Sequence, residues 1–191
     1  MGPFRDIAGG CVVKPEWDTI DGTLYVDESG PWMVFVHEWT SMPDGIGVMA
    51  AVRMKDDLTT CVGEPIELFK AKDVAWARNR IVDGPYLYKT AGGRLIMLWS
   101  NHNEKGYCVA KARSVSGRID GEWTHEPTFL YEKGILPDCT CDGGHGMLFV
   151  DKRGRLMLAV HTPNGRADGG FEHLLLKEVV ERDETLVLKE A

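Results

Sequence analysis

Three segments of this chain align without gaps at a spacing of 62 residues. They are Ile20-Asp21-Gly22-Thr23-Leu24-Tyr25-Val26, Val82-Asp83-Gly84-Pro85-Tyr86-Leu87-Tyr88 and Gly144-His145-Gly146-Met147-Leu148-Phe149-Val150. Asp21, Asp83 and His145 fall in one slot, and a glycine follows each. Nine positions after the slot each copy has a turn glycine: Gly30, Gly92 or Gly154. A second apolar run comes next: Trp32-Met33-Val34-Phe35-Val36, Leu95-Ile96-Met97-Leu98-Trp99 and Leu156-Met157-Leu158-Ala159-Val160. Short apolar runs around a glycine turn predict a β-hairpin buried on both faces. Third runs (46–54, 107–113, 171–177) and fourth runs (65–69, 128–131, 186–188) complete about four strands per copy.

Four-stranded units at a fixed period predict an all-β chain built as a partial β-propeller. One domain, residues 1–191, holds blades at about 20–70, 82–132 and 144–190. Three unrelated hairpins in a β-sandwich would make the shared slot, glycine and turn a coincidence. Propellers close with about four to eight blades, and three units of 62 use nearly all of 191 residues. The expectation is that these are the C-terminal blades of a longer propeller, or that another chain completes the ring as an oligomer.

Composition narrows the function. A net charge of -7 lacks the basic footprint of a nucleic-acid binder. No run of about 18 apolar residues occurs, so no membrane-spanning helix is expected. Met1-Gly2-Pro3-Phe4-Arg5-Asp6 has no apolar leader, and Asp6 stands where a myristoylation motif needs Ser or Thr. A cytoplasmic chain is the default expectation. Five cysteines without a Cys-x-x-Cys predict reduced, mostly buried thiols. Cys139-x-Cys141 with His145 lacks the fourth ligand of a zinc site.

In a blade, the first strand lies nearest the axis and its start points at the mouth of the central channel. Asp21 and Asp83 should therefore converge there with His145. Two carboxylates facing one cleft, with their pKa values driven apart, are the working parts of glycoside hydrolysis. The alternative is that each Asp-Gly is turn chemistry, the Asp capping its own backbone. His37, Trp99 and His161, sixteen after the anchors, either contact sugar or pack between blades. Asn101 and His102 either reach the cleft or shape a loop. Trp39, Trp76 and Trp123 read as packing or rim residues, and Met33, Met49, Met97 and Met157 as core filler.

Several motifs occur in a fixed order. Ile20-Asp21 is followed by the turn Asp27-Glu28-Ser29-Gly30. Asp83-Gly84-Pro85 opens the next inner strand. Arg113-Ser114-Val115-Ser116 leads to Gly121-Glu122-Trp123, and Gly143-Gly144-His145-Gly146 to His161-Thr162-Pro163-Asn164. In these residues, from about 15 to 165, the chain resembles glycoside hydrolase family 43. These are five-bladed propeller enzymes acting on arabinose- and xylose-containing polysaccharides, arabinofuranosidases and xylosidases among them.

The resemblance implies inverting hydrolysis of a carbohydrate substrate by three acids. Asp21 takes the role that tunes and orients the acid, and Asp83 takes the general-acid slot. Ile20, His37, Trp99, Asn101 and His145 are the expected substrate contacts. No cofactor is required, although His145 at the channel centre implies a neighbouring water or a calcium ion (Ca2+). The chain departs from the family pattern twice. Asp83 stands where the family has Glu, which sets the carboxyl back by one methylene. The family base belongs two blades, about 124 positions, before Asp21, and only 20 residues precede it. The chain alone is therefore expected to be weakly active or inactive. Rival expectations are a non-catalytic carbohydrate-binding propeller and a protein-interaction propeller. The inward carboxylates and the absence of Trp-Asp blade endings count against the latter.

Overall fold

The computed structural model describes residues 3, 13–163 and 172–190, so Cys11, Asn164 and Phe171 lie outside the described residues. Three four-stranded antiparallel sheets follow one another in chain order. The first holds β1 (Thr19–Asp27), β2 (Gly30–His37), β3 (Val48–Met54) and β4 (Cys61–Lys70). The second holds β5 (Asp83–Lys89), β6 (Leu95–Asn103), β7 (Gly106–Ser114) and β8 (Trp123–His125). The third holds β9 (Gly144–Val150), β10 (Leu156–Pro163), β11 (Glu172–Arg182) and β12 (Thr185–Leu188). Among the described residues no helix is long and apolar enough to cross a membrane.

The first strands adjoin one another, so the sheets fan from a common edge. Thr23 Oγ1 on β1 donates to the Pro85 carbonyl on β5 at 2.7 Å. Gly84 on β5 lies against His145 on β9. Alternate residues of β6 serve different neighbours. Leu95, Met97 and Trp99 join the core shared with the first sheet. Ile96 and Leu98 join the core shared with the third. A strand covered on both faces needs no polar alternation, which is why Leu95 to Trp99 reads as an unbroken apolar run. Among the described residues, nothing covers the outer face of the third sheet in this way: Met147, Phe149, Leu174 and Leu176 are exposed. On the first sheet, Val13, Trp17 and Met42 pack over the outer-face residues Phe35, Val48, Ala50 and Val52.

A fully buried lysine fastens the second sheet to the third. Lys111 Nζ on β7 lies 3.0 Å from Glu126 Oε2 and donates to the Leu186 carbonyl on β12 at 2.8 Å. It also donates to Thr128 and Thr185 hydroxyls at 3.3 and 3.2 Å.

Two expectations are corrected. The fourth strand of the second sheet is β8, not residues 128–131. Pairing with β7 runs through Glu126, whose N–H donates to the Lys111 carbonyl at 2.9 Å. It then meets Pro127, which has no N–H to continue the ladder. Beyond it a single bridge joins Val109 and Tyr131.

The gapless repeat of 62 is also off by one in the second copy. Each inner strand carries a β-bulge near its start, where two residues oppose one. Asp21-Gly22, Gly84-Pro85 and His145-Gly146 fall in the register shifts of the three ladders. The first bulge residues have φ values of 57°, 55° and 51°. Asp21, Gly84 and His145 are therefore equivalent, and Asp83 corresponds to Ile20 and Gly144. The structural spacing is 63 and then 61. The turns agree, since the positive φ in the second hairpin belongs to Gly93 and not Gly92.

Candidate active site

The bulges aim the site. A non-glycine residue at positive φ is uncommon, and Asp and His are among those that tolerate it. At Asp21 and His145 this backbone turns a functional side chain toward the common edge. Glycine fills the equivalent position between them. Gly84 N–H donates to Asp21 Oδ2 at 3.1 Å, and His145 Nδ1 lies 3.8 Å from the same oxygen. The His145 N–H donates to Ser100 Oγ at 2.9 Å, which ties the third bulge to β6.

Asp83, one residue before its bulge, reaches the same place from the strand register. Its Oδ2 accepts a hydrogen bond from the Tyr107 hydroxyl at 2.7 Å. Ile20, Asp21, Asp83, His102, Tyr107, Asp142, His145, His161 and Glu172 line one open cavity of about 460 Å3. His161 Nδ1 pairs with Glu172 Oε2 at 2.6 Å on the third-sheet wall. The rings of His102 and His161 flank Tyr107, with centroids 4.9 and 5.5 Å away.

Burial lifts the Asp83 carboxyl above the usual carboxylate range. The Tyr107 hydrogen bond opposes this, the Asp21 charge adds to it, and His145 and His102 pull it back. Burial and the Asp83 charge also raise the Tyr107 phenol, so it stays a neutral donor. Glu38, just past β2, is raised by burial and by the charges of Asp83, Asp21 and Asp18. The site thus pairs a carboxyl inclined to keep its proton with a second carboxylate whose oxygen is engaged by a backbone N–H.

Asp21, Asp83, His145 and Ile20 come together as expected from sequence. His37, Trp99 and Asn101 do not. His37 is buried, stacks on Trp17 with centroids 3.9 Å apart and contacts Ser41 Oγ at 3.0 Å. Trp99 is fully buried and packs on Phe69 and Trp76. Asn101 is fully buried too. Its amide donates to the carbonyls of Asn79 and Ile81 at 3.0 and 2.6 Å. It fastens the loop that enters β5 two residues before Asp83, so it acts on the site without facing it. The slot shared by His37, Trp99 and His161 dissolves for the same reason as the anchor slot. By ladder register Trp99 matches Phe35 and Val160, while His37 matches Asn101 and Thr162.

Sequence reasoning missed Tyr107, Asp142 and Glu172 as cavity residues. Tyr107 stood in a recognised strand, but no repeat position pointed to it, because its partners come from β5 and the segment before β9. Among the described residues, no group of three or more His, Cys, Asp or Glu side chains is arranged to hold a metal ion. His145 contributes one imidazole, whereas calcium takes about six to eight oxygens. The described residues do not fit a directly coordinated calcium, and the chemistry below uses this chain's own groups. Cys108 and Cys139 are buried thiols, and Cys141 is partly exposed.

Radial four-stranded sheets with acids and imidazoles at their inner edge define a propeller of the glycosidase type. The family model for glycosyl hydrolases family 43 matches residues 1–186, and the chain belongs to that family. It is similar to the crystal structure of an endo-arabinase from Bacteroides thetaiotaomicron VPI-5482. The identity is 35% and the TM-score 0.79, covering 95% of this chain and 63% of that one. An endo-1,4-beta-xylanase from the same organism shares 24% identity with a TM-score of 0.82. It covers all of this chain and 64% of its own, and shows the fold alone. An exo-1,5-alpha-L-arabinanase from a bovine ruminal metagenomic library, 20% identical with a TM-score of 0.67, covers 95% of this chain and 62% of its own. The chain thus spans under two thirds of these relatives. A comparison with curated proteins finds no match.

Proposed function

We propose that this chain carries the acid half of an inverting glycoside hydrolase site acting on arabinofuranosyl or xylosyl linkages of plant polysaccharide. The observation that carries the reading is Asp83. It is a half-buried carboxyl held by the Tyr107 hydroxyl, with its pKa raised by desolvation, in one cavity with Asp21. Protonated Asp83 gives its proton to the departing glycosidic oxygen as the bond from the anomeric carbon to that oxygen breaks. Water adds to the anomeric carbon from the opposite face and loses a proton to a base. The products are an alcohol and a sugar of inverted configuration. Asp21 orients this end of the site through Gly84 and holds the Asp83 proton by its charge. The base belongs about 6.5–9.5 Å from the acid, on the sugar face away from Asp83. We assign it to blades outside this chain, which makes the isolated chain a poor catalyst. The 35% identity to an endo-arabinase favours an arabinan substrate.

The test is hydrolysis of arabinan, aryl arabinofuranosides and aryl xylosides, read beside binding of arabino-oligosaccharides by calorimetry. Binding by the chain, with turnover restored in a form carrying the preceding blades and lost in Asp83→Asn, is the expected result. Turnover by the longer form that Asp83→Asn leaves unchanged would overturn the acid assignment. Oligosaccharide binding without turnover, even in the longer form, favours the second reading, a non-catalytic carbohydrate-binding propeller. The short Asp83 side chain, with one oxygen already engaged by Tyr107, speaks for it.

A further inference from the structure

The contact between Tyr107 and Asp83 is built from several directions. The Tyr107 N–H donates to Asp142 Oδ2 at 3.0 Å, and its carbonyl accepts from the Gly143 N–H at 3.0 Å. The start of β7 is thus pinned to the segment that enters β9. Two glycines make room for this fit. A Cβ at Gly144 would run into the Tyr107 ring, and one at Gly106 into the Asp142 carboxylate. Ser100, fully buried on β6, accepts from the His145 N–H and favours the charged form of the Tyr107 phenol. The third bulge thus fixes a hydroxyl that acts on the phenol engaging Asp83 Oδ2.

We propose that Tyr107 is a positioning residue for Asp83, holding the shortened acid by Oδ2 and leaving Oδ1 as the oxygen open to a ligand. A carboxyl one methylene shorter than Glu stands further from a sugar in the cavity, and small displacements are expensive in proton transfer. A fixed phenol removes the rotation that would displace it further. The significance for catalysis rests on the glycosidase reading above, but the contact itself can be tested without turnover. The groups facing Asp83 are Tyr107 from β7, Asp21 from β1, His102 from β6, His145 from β9 and Glu38 beyond β2. Of these, Tyr107 acts through a direct hydrogen bond that favours the charged carboxylate. Its removal must make the Asp83 proton harder to lose.

The experiment is a carbon-13 NMR titration of the Asp83 carboxyl in the 191-residue chain, assigned by its absence in Asp83→Asn. Tyr107→Phe keeps the ring and should move the midpoint up by about one pH unit, the size expected for a hydrogen bond to a charged group. Ser100→Ala leaves the phenol in place but unpolarised and should move it up by less. A folded Tyr107→Phe protein with an unmoved midpoint overturns the proposal. If that variant does not fold, Ser100→Ala decides: an upward shift supports the proposal and an unmoved midpoint overturns it. The two readings separate cleanly. A shift in a full-length form without hydrolase activity keeps the positioning role and sinks the enzyme. An unmoved midpoint in an active enzyme does the reverse.

Discussion

The His145 imidazole lies over Gly84 so closely that a Cβ added there would stand 2.7 Å from its Cδ2. Gly84 also holds φ at 55° and presents its N–H to Asp21. The middle bulge is therefore a bare backbone between two functional side chains. Gly84→Ala combines a disfavoured φ with a steric clash and should cost about 2 kcal/mol, read as a lower urea midpoint. It should also loosen sugar binding, because His145 has to move. Gly93→Ala, with φ of 87° but open space around it, should show the smaller backbone effect and no binding change.

Asp83 is expected to destabilise the fold at neutral pH. Its folded pKa is raised, so between the unfolded value and the folded one the native state holds the extra proton. Stability falls as pH rises through that window, and the penalty is complete above it. Asp83→Asn cannot ionise. It should raise the melting temperature at pH 7 by a few degrees, and the difference should shrink toward pH 3. Melting curves across that range provide the check.

Asp21→Asn should act on Asp83 in the opposite direction to Tyr107→Phe. Asn keeps an oxygen for the Gly84 N–H but removes a negative charge that makes Asp83 hold its proton. The Asp83 midpoint should move down. In an active form of the enzyme the acid must be protonated, so rate falls as pH rises through its pKa. The alkaline limb should therefore shift to lower pH in Asp21→Asn and to higher pH in Tyr107→Phe.

Lys111→Met should destabilise by about 3 kcal/mol, the range for breaking one side of a buried ion pair. The Glu126 carboxylate, 11% exposed at its side chain, would be left without its cation. Lys111→Met with Glu126→Leu should recover part of the loss, because no charge is then stranded. Denaturant curves for both single variants and the double variant supply the cycle. A double variant that loses the sum of the two single losses would show that Glu126 does not depend on Lys111.

Much of the architecture was legible along the chain. The apolar runs at Trp32 to Val36, Leu95 to Trp99 and Leu156 to Val160, with a glycine at each preceding turn, mark hairpins buried between neighbours. Strand identity depends on local pattern, and a three-fold repetition of that pattern leaves few alternatives. The family motifs around Asp21, Asp83 and His145 likewise located the cavity, because residues at the start of inner strands are carried there by the blade geometry itself.

Register was not legible. Nothing in Ile20-Asp21-Gly22 or Val82-Asp83-Gly84 says which residue will be squeezed out of the ladder. That depends on cross-strand hydrogen bonds to β2 and β6, and it moved the second copy by one position. Because side chains alternate with every residue, that single step sent Trp99 into the core and Asn101 to a buried loop clasp. Tyr107 was invisible for a related reason: its role is set by Asp83 from one strand and Asp142 from another, 24 and 35 residues away. Local hydrophobic period and turn chemistry determined the strands and their repetition. Packing of blade on blade, which acts between residues far apart in the chain, decided which side chains share the cavity and that the Tyr107 phenol engages Asp83.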